Sequence, residues 1–451
     1  MNVDAPTELI EKYAKPVPRY TSYPTAPHFQ TEIGADTYRS WLDRLPNGVQ
    51  TSVYVHIPFC EKLCWYCGCN TKATERYEPV ANYLHALDRE CRAVSELVST
   101  KAVITHLHWG GGSPSILSAR DIEALSGRLQ SAFAFSPKAE IAVEVDPRTI
   151  ADDKVRAFAA SGFNRVSVGV QDFSEAVQAA INRQQSYETT ASAIERFRSA
   201  GIGSINIDLV YGLPRQTLDS VKSTIDQVLA LAPDRIALFG YAHLPARLVH
   251  QRLIRDADLP NTLERFAQAN AAANMLLEAG YVRIGLDHFA KRCDTLATGI
   301  VHRNFQGYTT DTAEALIGLG ASSIGRLPQG YVQNATAVAE YARRTEADGL
   351  ATAKGRALTE EDIARGHVIE ELLCSLRLDV PDLELRFGRL GKLLGAEAKA
   401  LIASDTDGLI IPIGDDGSFT VTERGRLFVR SICAVFDAYL GQSAATHSAG
   451  V

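Results

Sequence analysis

Residues 140–172, EIAVEVDPRTIADDKVRAFAASGFNRVSVGVQD, hold the unit that decides the fold. The two ends, EIAVEV (140–145) and RVSVGV (165–170), are short runs rich in β-branched residues, and 153–160 between them spaces its apolar residues three to four apart. This reads as strand, helix, strand. Two strands joined through a helix lie parallel, with a right-handed crossover. The pattern recurs outward in both directions. SVYVHI (52–57) and VITHLHW (103–109) precede it; SINIDLV (204–210) and RIALFGY (235–241) follow it; helices are expected over 121–132, 189–200 and 217–231. Six such units predict an α/β chain built on a partial (β/α)6 barrel.

Polar and glycine residues cluster at one place in each unit. A cysteine loop follows the first strand, Gly110, Gly111 and Gly112 the second; Glu144 and Asp146 close the third, Gln171 and Asp172 the fourth. The fifth carries Asp208, and the sixth runs into Tyr241, Ala242 and His243. All six sets fall at C-terminal strand ends, where parallel barrels build active sites.

The flanks differ. Residues 1–50 contain PVPRYTSYPTAPHF (16–29), which reads as an extended arm able to fold over a site. The barrel and its extension are assigned to 51–355, with a long amphipathic helix over 262–279 and an apolar strand-like run YVRIGLDHF (281–289). Helices over 364–376 and 390–403, a hairpin around Asp415, Asp416 and Gly417, and a helix over 426–440 suggest a small, mainly helical, winged-helix-like domain at 356–440. The tail 441–451 is expected to be disordered.

Of 451 residues, 46% are apolar and 22% charged, an ordinary globular composition that excludes a fibrous or disordered chain. The net charge of −7 offers no general attraction to nucleic acid or anionic membranes. No apolar run approaches the roughly 18 to 20 residues that cross a bilayer, and MNVDAPTELIEKYAK has acids where a signal peptide has basic and apolar regions. A cytoplasmic protein is therefore expected, with no nucleic-acid partner and no membrane span.

Four of the eight cysteines, Cys60, Cys64, Cys67 and Cys69, fall within ten residues, in HIPFCEKLCWYCGCNTK (56–72). Such a cluster reads as metal or redox chemistry rather than a disulfide framework. A structural zinc site usually adds a second, distant Cys-x-x-Cys pair, and none is present. Three thiolates spaced C-x-x-x-C-x-x-C suit three irons of a [4Fe–4S] cube, leaving the fourth iron for S-adenosylmethionine. Cys69 could instead close the cube as a fourth ligand, although ferredoxin spacing does not match; otherwise it is a site thiol or a packing residue. Cys91, Cys293, Cys374 and Cys433 are scattered and read as packing residues.

With these motifs, RYTSYPTA (19–26), HWGGGSP (108–114), EVDP (144–147), GVQDF (169–173), NIDLVYGLP (206–214), YAHLP (241–245), HRNFQGYTT (302–310), CSLRLDV (374–380) and GRLFVRSICAVFDAYL (425–440) resemble the oxygen-independent coproporphyrinogen III oxidase (dehydrogenase) family of the radical S-adenosylmethionine superfamily. The resemblance implies oxidative decarboxylation of the ring A and B propionates of coproporphyrinogen III to vinyl groups, giving protoporphyrinogen IX in haem biosynthesis. It assigns Cys60, Cys64 and Cys67 to the cluster. Tyr54, Gly111, Glu144 and Ile324 go to the iron-bound S-adenosylmethionine, the glycine run holding its amino group. Tyr66, Gly112, Ser113, Gln171, Arg183, Asp208 and Ala242 go to a second one.

Cys69 is a further candidate for the catalytic set. Sequence alone also allows Arg183 and Asp208 to form an internal ion pair. Four substrate carboxylates need cations, for which Arg19, Arg183, His302 and Arg303 are candidates. An electron donor such as flavodoxin or ferredoxin and a monomeric state complete the expectation. Two relatives of the same superfamily stay open as alternatives, a haem chaperone and a haem-degrading methyltransferase; the RYTSYPTA arm and Cys69 favour the oxidase over the chaperone, whereas the methyltransferase shares the CGC-type sequence.

Overall fold

β1 (Val49–Ile57), β2 (Ala102–Gly111), β3 (Ala134–Val145), β4 (Arg165–Gln171), β5 (Ser204–Tyr211) and β6 (Arg235–Gly240) hydrogen-bond in that order, each parallel to the next. The structure is a computed structural model that describes residues 6–98 and 100–441. The partial barrel expected from the strand-helix alternation is therefore present. Its helices begin where the sequence supplies caps: Ser118 accepts from the Asp121 amide, and Thr217 and Asn261 each form a reciprocal capping box. Side chains such as Leu129, Phe158 and Phe197 from these helices share one core with Val143, Val166 and Ile205 from the strands.

The sheet is larger than the six units. β7 (Val282–Ile284) and β8 (His288–Ala290) add antiparallel strands beyond β6. The run YVRIGLDHF is thus a hairpin and not one strand. It breaks at Gly285, whose φ of 52° is left-handed and whose missing side chain leaves room for the Tyr308 ring. At the opposite edge, β9 (Ala315–Leu319) lies parallel to β1, and β10 (Ile324–Leu327), β11 (Gly330–Asn334) and β12 (Thr352–Ala357) follow as an antiparallel meander.

Glu90, on the helix Glu78–Val98, ties that edge to the barrel. Its side chain is fully buried and accepts from the Gly320 amide (2.7 Å), Asn334 Nδ2 (2.6 Å) and Tyr341 Oη (2.7 Å). Burial pushes its carboxyl up to about 7, against the pull of those three donors. A carboxyl harder to ionise when folded costs stability as pH rises from about 4.5 through about 7, and the full cost persists above that. The shift corresponds to about 3 kcal/mol. Urea unfolding at pH 8 and pH 5 should show the wild type gaining up to that amount at pH 5, and Glu90→Gln should lack this part of the gain.

The N-terminal segment is less uniform than an extended arm. The helices Thr7–Tyr13 and Ala35–Asp43 flank the PVPRYTSYPTAPHF stretch, which is irregular apart from one turn at Ala26–His28. Leu9, Ile10, Tyr20 and Tyr23 pack into a second core with the C-terminal helices Glu360–Cys374 and Arg389–Ser404. Those helices precede the hairpin Ile410–Pro412 and Phe419–Val421, to which Arg377–Leu378 adds a third strand. This small, mainly helical assembly has the helix-then-hairpin order the sequence suggests. The helix expected over 426–440 is instead two short ones, Glu423–Arg426 and Val429–Ala434. Beyond them, Asp437 and Tyr439 turn to tertiary partners, Tyr20 and Asp362. The tail from 442 onward lies outside the described residues. No helix among the described residues is long and apolar enough to cross a membrane.

Candidate active site

β1 delivers the chain into the cysteine loop, and a short parallel pairing of Phe59–Cys60 with Lys72–Ala73 closes it. Distant segments pin the loop between. The Trp65 amide donates to the Ile181 carbonyl (2.9 Å), Asn182 Nδ2 to that of Leu63 (2.9 Å), His250 Nε2 to that of Cys67 (2.7 Å) and Gln251 Nε2 to that of Tyr66 (3.0 Å). Cys60, Cys64, Cys67 and Cys69 then line one cavity of about 490 Å³ at the C-terminal ends of the strands.

Tyr66, Gly111, Gly112, Ser113, Glu144, Gln171, Arg183, Asp208 and Ala242 line the same cavity. Thirteen of the fifteen residues assigned from sequence to the cluster, the cofactor sites and the catalytic set therefore meet there. Tyr54 and Ile324 do not; they sit together at its β1 flank. Tyr54 pairs in register with Gly318, and a side chain on Gly318 would strike the Ile324 backbone at 2.8 Å. Tyr54 stacks on His108 and donates to His56 Nδ1 (3.1 Å). The His56 tautomer follows, because the Asn70 carbonyl at 2.9 Å from Nε2 can only accept.

Glu144 is held by His108 Nε2 (3.0 Å) and the Gly111 amide (3.3 Å). A Cβ on Gly110 would come within 2.8 Å of this carboxylate. The glycine run serves packing as well as access. The Gly112 amide donates to the Ile57 carbonyl (2.9 Å) and the Ser113 amide to that of Phe59 (2.8 Å). Both amides are thus engaged in backbone hydrogen bonds. Gly112→Ala would place a methyl group within 2.5 Å of the Phe59 carbonyl oxygen. Thermal or urea denaturation should show it less stable by about 1–3 kcal/mol.

Arg183 pairs with Asp146 (3.3 Å), not with Asp208. Its Nη2 donates to the Gly169 carbonyl (2.5 Å), and its Nη1 lies 3.5 Å from Cys64 Sγ. Arg148 also pairs with Asp146 (2.6 Å) and reaches Cys64 Sγ at 3.8 Å. Burial alone would raise the Asp146 carboxyl; Arg183 and Arg148 outweigh it and bring it down to about 2. Asp208 accepts from Ser167 Oγ and Asn206 Nδ2, both at 2.8 Å, and burial, with the Glu144 charge nearby, pushes it up to about 6.

Asp172 belongs to the scaffold: it is buried, its Oδ2 accepts from Gln216 Nε2 (2.6 Å) and its Oδ1 from the Ser174 amide (2.6 Å). His243 faces Tyr241 and Asp256. Of the cation candidates, Arg19 and Arg183 reach the cavity. His302 is engaged with Glu370 (3.1 Å) and Arg303 with Asp287 (3.7 Å). Sequence reasoning missed His108, although period-two alternation in VITHLHW puts His106 and His108 on one face.

The donor set fits an iron–sulfur cluster. Among the described residues no three Cys, His, Asp or Glu side chains converge tightly enough for a single metal ion. Three thiols spread along one loop and facing one cavity match a cluster in which each thiolate takes a different iron.

The Radical SAM superfamily profile matches residues 54–228. The oxygen-independent coproporphyrinogen III oxidase of Bradyrhizobium diazoefficiens is 46% identical over 439 residues, 96% of this chain and 97% of that protein. The chain belongs to the oxygen-independent coproporphyrinogen III oxidase family. The family member of Escherichia coli K12 is 41% identical over 98% of this chain and 97% of its own. The solved structure of an Escherichia coli coproporphyrinogen III oxidase, described as a radical SAM enzyme, superposes with a TM-score of 0.91 at 40% identity, covering 97% of this chain and all of that one. As a radical SAM member of this oxidase family, the chain uses a [4Fe–4S] cluster and S-adenosylmethionine.

Proposed function

We propose that this chain catalyses the oxygen-independent oxidative decarboxylation of coproporphyrinogen III, converting the ring A and ring B propionates to vinyl groups and giving protoporphyrinogen IX. The observation that carries this reading is the convergence of three loop thiols, Glu144, Arg183 and Asp208 on one cavity, in a chain related to such oxidases over nearly its full length. Cys60, Cys64 and Cys67 would hold the cluster, which with S-adenosylmethionine supplies a hydrogen-abstracting 5′-deoxyadenosyl radical.

The remaining chemistry falls to binding and positioning. Glu144, oriented by His108 and the Gly111 amide, presents an acceptor to the amino group or ribose hydroxyls of the first S-adenosylmethionine. The carbonyls of the glycine run, with Tyr54 and Ile324 at the flank, complete that site. Asp208, Arg183, Gln171, Tyr66, Ser113 and Ala242 serve a second S-adenosylmethionine. Cys69 contributes a thiol at the wall. No side chain has to remove a proton from the propionate β-carbon, because hydrogen leaves as an atom. Each propionate then loses carbon dioxide and one electron, so two propionates require two cycles. The reading includes a flavodoxin- or ferredoxin-type donor, a separate electron acceptor, a cytoplasmic setting and action as a monomer.

The test is anaerobic cluster reconstitution followed by coproporphyrinogen III, S-adenosylmethionine and a reductant. The expected result is 5′-deoxyadenosine and carbon dioxide released in step. Stoichiometric haem binding with no carbon dioxide would instead place the chain with the haem chaperones.

A further inference from the structure

A second, smaller cavity of about 80 Å³ adjoins the first, with Arg19, Gly240 and Tyr241 lining both. Five guanidinium groups face it, from Arg19, Arg265, Arg283, Arg303 and Arg430, against a single carboxylate, Asp287. Glu423, a further acid whose charge reaches Arg283, is already paired with Arg426 (3.6 Å). The arginines are anchored mainly by neutral acceptors. Arg265 donates to the Tyr241 carbonyl (2.8 Å), Arg283 to that of Leu286 (3.0 Å) and Arg430 to that of Pro18 (3.1 Å). Such bonds fix orientation but leave the positive charge in place.

The Arg303 side chain is 4% exposed, and among the described residues the carboxylate it pairs with is Asp287 at 3.7 Å. Its Nε and Nη1, and the Nε of Arg283, are buried without hydrogen-bond partners. Gly212 makes the arrangement fit, since a Cβ there would lie 2.6 Å from Arg265 Nη1. Gathering like charges away from water is costly unless an anion joins them. Burial and neighbouring guanidinium groups pull Arg283 and Arg430 down to about 10, which still leaves both charged at neutral pH.

We propose that this cavity is a carboxylate pocket that takes a propionate of the tetrapyrrole other than the one being oxidised, while the ring lies outside it, on the side facing the larger cavity. This rests on the substrate assignment above. The arginines meet the carboxylate by charge-assisted hydrogen bonds, and Leu238, Phe266 and Phe289 in the same wall meet its methylene groups. The volume admits a short side chain and excludes a macrocycle.

Binding of coproporphyrin III, a fluorescent tetracarboxylate, and of its tetramethyl ester to the full-length, cluster-loaded protein tests the pocket. Arg283→Gln and Arg265→Gln should each weaken binding of the tetra-acid about tenfold or more, and Arg283→Lys should recover part of that loss. The ester should bind the wild type correspondingly weakly and respond to neither variant. Unchanged circular dichroism and cluster absorption identify folded variants. Tetra-acid affinity within twofold of wild type in both folded variants overturns the pocket. So does wild-type protein that binds ester and acid equally, a comparison that needs no variant. Failure of the substrate assignment reads out separately, as wild-type protein that releases no carbon dioxide.

Discussion

Cys60→Ala, Cys64→Ala and Cys67→Ala should each abolish the iron–sulfur absorption after anaerobic reconstitution and reduce product formation below detection, while Cys69→Ser keeps the cluster. The three residues lie on one loop clamped from both ends and from the distant Asn182, His250 and Gln251. A missing thiolate therefore cannot be replaced by movement of the chain. Cys69 lines the same cavity, so its retention of the cluster is a demanding part of the expectation. Loss of the chromophore in Cys69→Ser, with normal iron uptake in one of the other variants, would move the ligand assignment to a different trio.

Asp146→Ala should destabilise the protein by about 3–5 kcal/mol, because it strands a buried guanidinium. The Arg183 side chain is 7% exposed and the Asp146 side chain 12%, so water cannot readily take the place of the carboxylate. Arg148 loses its partner in the same substitution. The pH dependence has a definite sign. The folded carboxyl lies near 2 against an ordinary value of 3.8, so the stabilisation is complete above about 4 and is lost as pH falls through about 2. The shift amounts to about 2 kcal/mol. Urea unfolding of wild type and Asp146→Ala at neutral pH reads the first quantity, and the acid limb of the wild-type stability curve reads the second. A cost under 1 kcal/mol would mean that water reaches Arg183.

Much of this architecture was legible because its signal is local. Runs such as EIAVEV and RVSVGV announce their strands through β-branching, and Ser118, Thr217 and Asn261 mark helix starts through side chains that reach three residues along. β9 was not legible. ALIGL is a five-residue run followed by no helix, and its parallel pairing with β1 depends on chain more than 250 residues away. The hairpin in YVRIGLDHF was hidden for a related reason: Gly285 bends because Tyr308 occupies the space a side chain would need.

The site divides in the same way. Strand-end positions brought Glu144, Gln171 and Asp208 to one mouth by topology alone. Which carboxylate would meet Arg183 depended on loop geometry, and Asp146 took that place. His250 donates to a carbonyl 183 residues distant, a contact with no local trace. The arginine wall of the smaller cavity was only partly legible in a chain of net charge −7: Arg19 and Arg303 lie in motifs already singled out, whereas Arg265, Arg283 and Arg430 come from three unconnected segments.

The most direct test of this chemistry is the mass of the tetrapyrrole formed from coproporphyrinogen III by reconstituted protein under strict anaerobiosis. The expected product has lost two carboxyl carbons and gained two vinyl groups, with 5′-deoxyadenosine formed alongside. Recovery of an unaltered tetracarboxylate, or of a ring-opened or methylated tetrapyrrole, would contradict it.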